Sequence, residues 1–246
     1  SPHITNGVHA PYYGNSVEKD AVCCSYAASI GSKKLSVDDE SKIKTLLKRL
    51  DVISVREEFG KEVLLPLTEK EIFTHLDPAF LLTTEEWEAL CGKPAMDGSY
   101  ILVYALVIDE QLIEVARQLA NKNNMPIVFF DIKNRYGTKA ISRYSADPIQ
   151  FISYIKGAAY VVTNSFHGTA FSLIFKKQFI AVPNPDNPLR ITELLTKVGA
   201  QNQIVSKASE QCPFETQLDY TLIDKTLDRK RKDAISYLGK IIRMEK

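Results

Sequence analysis

Asn164, Ser165, His167, Gly168 and Thr169 crowd into one short segment, TNSFHGTAF, running from Thr163 to Phe171. An apolar run, Ala158-Ala159-Tyr160-Val161-Val162, precedes it, and the apolar stretch Phe171 to Phe175 closes it. That pattern predicts a buried strand, a tight polar turn and a buried helix. The first N–H groups of a helix lack intrahelical partners, and the dipole is positive at that end, so such a turn can hold an anion. Gly168 would let backbone approach a ligand closely. His167 can change protonation near neutral pH. An anion cradle beside a proton donor suits chemistry on a phosphorylated or carboxylated substrate. The alternative is an ordinary strand–helix turn with an N-capping Asn164 or Ser165 and a structural histidine.

The elements that must position this turn can be read around it. Tyr100 to Val107 and Pro126 to Asp131 read as strands, with a helix between them capped by Asp109 and carrying Leu112, Ile113, Ala116 and Leu119 inward. Asp147-Pro148 is an N-cap and first-turn proline opening a further helix. After the turn come a strand at Phe179 to Val182 and a helix from about Leu189 to Val198 that stops before Gly199. Strands alternating with helices predict a parallel, doubly wound α/β sheet. Upstream, residues 1–20 read as irregular and Val22 to Ile30 as a strand ending at Gly31. A Ser36/Asp39 cap precedes an amphipathic helix, and Asp51 to Val55 is a short strand delivering Arg56 and Glu57. Thr83 and Glu86 cap a helix with Trp87 and Leu90. The break from Gly92 to Gly98 divides a first region, 1–95, from a second, 96–215. The last stretch, 216–246, is an amphipathic helix with Leu227, Ala234, Leu238 and Ile241 on one side, expected to pack back on the first region.

Composition narrows the function classes. The net charge of +1 gives no field for nucleic acid. The basic run Arg229 to Lys232 is flanked by Asp228 and Asp233 and reads as a solvated helix face. No apolar run approaches the ~20 residues that span a bilayer. Cys23, Cys24, Cys91 and Cys212 lack CxxC spacing and read as reduced thiols of a cytosolic protein. His3, His9 and His75 lack partners at metal spacing, so no metal or other cofactor is expected.

In an open parallel sheet, ligands bind beyond the carboxyl ends of strands. Three polar clusters fall at such ends: Arg56-Glu57-Glu58, the turn Asn164 to Thr169, and Pro183 to Arg190. Arg56 could clamp an anion or pair with Glu57 or Glu58. Arg190 is expected in a first helical turn, where the dipole disfavours a cation, which leans toward a ligand role. Asp77-Pro78 reads as a turn.

Taken in order, YAASIG at 26–31, ISVRE at 53–57, LDPAFLL at 76–82, YILVYAL at 100–106, VVTNSFHGTAFSLIF at 161–175, and Arg190-Ile191 before Leu194-Leu195 resemble the polysaccharide pyruvyl transferase family. The resemblance implies a fold similar to the two-domain GT-B glycosyltransferases, with two Rossmann-like halves. Members usually begin with a glycine- and asparagine-rich strand–helix unit. Only Tyr13-Gly14-Asn15 echoes it, so the N-terminal half is expected to be incomplete. A second departure is Gln201 to Gln203, where many members carry an arginine.

The family implies transfer from phosphoenolpyruvate to a saccharide or lipid-linked saccharide, giving a pyruvate ketal. It also implies bacterial exopolysaccharide synthesis in the cytoplasm, at the inner membrane face through the acceptor. His167 is then the catalytic candidate. Arg56 and Arg190 would bind substrate anions, with Asn164, Ser165, Gly168 and Thr169 forming the cradle. The alternatives are a GT-B-like nucleotide-sugar glycosyltransferase and a non-catalytic relative.

Overall fold

The computed structural model describes residues 7–18, 20–31, 34–106, 110–130, 147–184, 188–205 and 218–244. His3, Asp109, Asp131 and Cys212 lie outside the described residues. The chain divides into two compact units, residues 1–81 with 225–246, and residues 82–224. The break from Gly92 to Gly98 follows the first helix of the second unit.

In the first unit, α1 (Val37–Leu47) starts at Ser36, whose hydroxyl accepts the Asp39 N–H at 3.1 Å. It leads to β1 (Ile53–Val55), α2 (Glu58–Leu64) and β2 (Ile72–Thr74), with β1 and β2 parallel and Ile53 level with Ile72. Ile43 and Leu47 of α1 meet Ile53, Val55 and Ile72 in one core. The strand expected from Val22 to Ile30 is present only as two isolated parallel bridges, Cys24 to Val52 and Ala28 to Val55. Ala27 is the reason: its φ of 46° is left-handed, and one such residue turns the chain out of a ladder.

The second unit opens with α3 (Thr84–Cys91), held by a reciprocal capping box between Thr83 and Glu86. It continues through β3 (Ile101–Tyr104), α4 (Glu110–Asn123), β4 (Ile127–Phe130), α5 (Pro148–Gly157), β5 (Tyr160–Thr163), α6 (Phe166–Ile174), β6 (Gln178–Ala181) and α7 (Leu189–Val198). The strands are all parallel, in the order β4-β3-β5-β6. The chain therefore adds β4 on one side of β3, returns, and adds β5 on the other. Ile101 and Val103 turn to the face covered by α4 through Leu112, Val115, Ala116 and Leu119. Period-two alternation sends Leu102 to the opposite face. Asp147 caps α5 through the Gln150 N–H at 2.8 Å, and Gly199, φ 75°, ends α7 in the left-handed conformation. Gln201–Gln203 forms a 3-10 turn in which Gln203 is buried.

A last helix, α8 (Tyr220–Ile242), belongs from Lys225 onward to the first unit. There Arg231 Nε donates to the Phe80 carbonyl at 2.8 Å, and the Tyr237 hydroxyl donates to Ser25 O at 3.3 Å. The two units each have parallel strands and flanking helices, so the α/β class holds.

Tyr100 is fully buried beneath α5 and its hydroxyl donates to the Tyr154 carbonyl at 2.7 Å. Tyr100→Phe removes that bond with little change in volume. It should lower the unfolding free energy by about 1 kcal/mol, read as the urea midpoint of the purified chain.

Candidate active site

The order β4-β3-β5-β6 reverses direction at β3 and β5, which makes their carboxyl ends the switch-point crevice of a doubly wound sheet. The segment TNSFHGT leaves β5 at that point. Thr163 is its anchor. Its hydroxyl donates to Tyr104 O, at the end of β3, at 2.6 Å, and accepts the Ser165 N–H at 3.0 Å. Asn164 is buried, and its side-chain oxygen accepts the Leu106 N–H at 2.9 Å. Two successive side chains thus stitch the turn after β5 to the chain leaving β3.

Ser165 is the N-cap of α6. Its hydroxyl accepts the Gly168 N–H at 3.4 Å, and its carbonyl accepts both the Thr169 N–H and the Thr169 hydroxyl at 3.0 Å. These bonds correct the expected cradle: the Gly168 and Thr169 N–H groups are engaged by the cap. The reason for glycine at 168 is also internal. A Cβ there would sit 2.3 Å from Thr163 Oγ1 and 3.0 Å from Tyr104 Cδ1, so the close approach is of α6 to its own sheet.

His167 differs from its neighbours. It is exposed, while every other residue from Val161 to Phe175 is buried. Its ring lies edge-on to Phe166 at 5.5 Å, and the guanidinium of Arg190, in the first turn of α7, lies over the same Phe166 ring at 5.3 Å. The structure therefore brings His167 and Arg190 together around one aromatic side chain. Part of the Pro183 to Arg190 cluster, residues 185–187, lies outside the described residues.

Arg56 belongs to the other unit. Its Nε donates to Glu57 Oε1 at 2.9 Å and its Nη1 to Asp77 Oδ2. Glu57 and Asp77 are 2 % and 5 % exposed, so a nearly buried guanidinium lies between two buried carboxylates. Glu57 Oε1 also accepts from the Ser29 hydroxyl, and Asp77 Oδ1 accepts the Ala79 N–H at 3.0 Å. Asp77 is thus both the turn residue expected at Asp77-Pro78 and an ion-pair partner of Arg56.

Sequence reasoning passed over His75. It follows β2, and its Nδ1 lies 2.8 Å from the hydroxyl of fully buried Ser54. Its ring contacts Tyr237 at 4.2 Å and stacks with Tyr26 at 5.7 Å. Ser54 Oγ already accepts the Ala27 N–H at 3.1 Å. The direction of the Ser54–Nδ1 bond follows the His75 tautomer, because the hydroxyl has one hydrogen to give and a second lone pair that can accept Nδ1–H. Burial lowers the His75 pKa from 6.5, and Lys230 lowers it further against the opposing pull of Asp233. The neighbouring Tyr26 phenol is pushed up to about 12 by burial, with a smaller push from Asp77. Only the spacing of His75 from Arg56, at matching ends of paired strands, could have flagged it from sequence.

The family model of polysaccharide pyruvyl transferases matches residues 11–187. The chain belongs to the polysaccharide pyruvyl transferase family. The match takes in Arg56, His75 and the whole TNSFHGT turn, and stops just short of Arg190. No curated protein matches the chain in sequence. The family places the protein in polysaccharide biosynthesis. No described helix is long and apolar enough to cross a membrane.

Gly168→Ala should destabilise the transferase by about 1–3 kcal/mol, because the new methyl meets Thr163 at the anchor itself. A melting temperature equal to the parent's would contradict this packing. His75 gives a pH dependence. Its folded pKa is depressed, so the stability it contributes is complete above its usual 6.5 and is lost as pH falls through the folded value. Urea midpoints measured downward from neutral pH should fall, and the fall should be shallower in His75→Gln.

Proposed function

We propose that this transferase moves a pyruvyl group from phosphoenolpyruvate to a saccharide, free or lipid-linked, and closes it as a ketal on two hydroxyls. The family match carries the reading, and the exposed imidazole of His167 beside Arg190 at a sheet switch point supports it. The atoms balance without a further reactant. A proton adds to the methylene carbon of the donor, making an oxocarbenium-like centre. One saccharide hydroxyl bonds to that centre, inorganic phosphate leaves, and the second hydroxyl closes the ketal. Of the two hydroxyl protons, one ends on the new methyl group and one on phosphate.

His167 would move one of these protons. Arg190 would face a donor carboxylate or phosphate, which a planar guanidinium matches with paired N–H groups. Asn164, Ser165, Gly168 and Thr169 then act by fixing the turn. Arg56, held by Glu57 and Asp77, is in this reading a second cation for the donor anion. A GT-B-like fold and a cytoplasmic reaction at the inner membrane face belong to the same proposal.

Calorimetry in EDTA should show phosphoenolpyruvate binding to the full chain. Heat from a nucleotide sugar with none from phosphoenolpyruvate would replace this reading by glycosyl transfer. His167→Asn should leave the melting temperature and donor affinity nearly unchanged and lower kcat by the ~10²–10⁴-fold typical of acid–base groups. A raised KM with kcat intact would make His167 an anion ligand instead. An intact kcat with a lowered melting temperature would make it structural.

A further inference from the structure

None of the residues proposed for the transfer lies on α8. Residues 220–244 carry seven cations against three anions, a net +4 in a chain whose total is +1. The buried side of the helix is occupied by Leu227, Ala234 and Tyr237. On the opposite side, Lys225, Arg229, Lys232, Lys240 and Arg243 are all exposed. Their spacings of four, three, eight and three residues keep them on one helical stripe, about 27 Å long at 1.5 Å per residue.

The pairing of these cations sets them apart. Arg231, on the flank, is tied to Asp228 and to Phe80 O. Lys176 is paired with Asp224, and Lys197 with Glu193. None of the five stripe residues makes an ion pair or a side-chain hydrogen bond among the described residues. A row of unpaired, mutually repelling cations raises the local potential and attracts a flat anionic partner.

Beside the stripe, Ile235 and Ile242 are 53 % and 83 % exposed, seven residues apart and so on one side of the helix. Basic side chains next to exposed isoleucines along one helix are the chemistry of an anionic lipid surface, where headgroups meet cations and acyl boundaries meet apolar side chains. A soluble polyanion would use the charges and leave the isoleucines in water.

We infer that the exposed face of α8 docks the protein peripherally on an anionic phospholipid surface, with Lys225, Arg229, Lys232, Lys240 and Arg243 meeting headgroups and Ile235 and Ile242 seated at the interface. Docking is independent of the donor and acceptor chemistry of the second unit, so it can fail while the pyruvyl transferase reading stands.

The test is co-sedimentation of the full chain with vesicles of phosphatidylglycerol in phosphatidylcholine, beside vesicles of phosphatidylcholine alone. The protein should pellet with the anionic vesicles only, and added salt should release it. Each cation near an anionic bilayer is worth about fivefold in partitioning, so Arg229→Gln with Lys232→Gln should weaken binding about 30-fold. Ile235→Ser with Ile242→Ser should weaken it at constant charge. These positions are exposed, so unchanged melting temperatures should accompany both losses. No sedimentation with anionic vesicles at low salt would overturn the inference, as would binding that the charge variant leaves intact. Full retention by the isoleucine variant, with complete competition by a soluble anionic polysaccharide, would show a polyanion site and overturn the lipid assignment.

Discussion

The hydroxyl of Thr163 governs the geometry of the second unit. It gives its hydrogen to the carbonyl ending β3 and takes the N–H that opens the turn after β5. One atom thus fixes two parallel strands and the start of α6. Each such buried bond contributes about 1 kcal/mol net, and leaving either partner unmade costs more. The same oxygen dictates what may pack on it. Helix α6 comes so close that residue 168 can carry no Cβ. His167 precedes that glycine, so its position is set by a threonine four residues earlier that need never touch a substrate.

The first unit solves a different local problem by the same means. Ala27 leaves the extended conformation, and the segment from Cys23 to Ala28 cannot complete a ladder with β1. Ser25 and Ser54 supply the missing bonds. Ser54 N–H donates to Ser25 Oγ, Ser25 Oγ donates to Ser54 O, and Ala27 N–H donates to Ser54 Oγ. Ser54 Oγ also hydrogen-bonds with His75 Nδ1, and Tyr237 closes over that ring from α8. A backbone irregularity, two serines, a histidine and the C-terminal helix are therefore one connected structure.

What could be read from the sequence was local. The caps at Ser36, Thr83 and Asp147 and the stop at Gly199 depend on neighbours within four residues, and each element formed as the residue types dictate. The parallel α/β class followed from the alternation of those elements. The strand at Val22 to Ile30 failed because alternation of residue types carries no information about a left-handed alanine held by distant hydroxyls. Arg56 was legible as an ion-pair former, with Glu57 a neighbour, but Asp77 is 21 residues away and becomes a partner only through the register of β1 on β2. Gly168 was read as freedom to approach a ligand. Its cause is a clash with Thr163, which requires the strand–helix distance to be known.

The turn's polar residues therefore divide by their exposure rather than by their chemical type. Asn164, Ser165 and Thr169 are as capable of binding a substrate as His167, yet all three are buried while His167 is exposed. Arg190 was singled out because a cation sits poorly in a first helical turn. The ring of Phe166 beneath its guanidinium offsets that penalty by about 0.5–1 kcal/mol, so the misfit alone does not require a ligand. The contact does place the cation, over one face of the Phe166 ring. Phe166 also meets the edge of His167. A buried phenylalanine, the least reactive member of the motif, is thus what registers the exposed imidazole against the guanidinium, and Thr163 and Ser165 fix that phenylalanine.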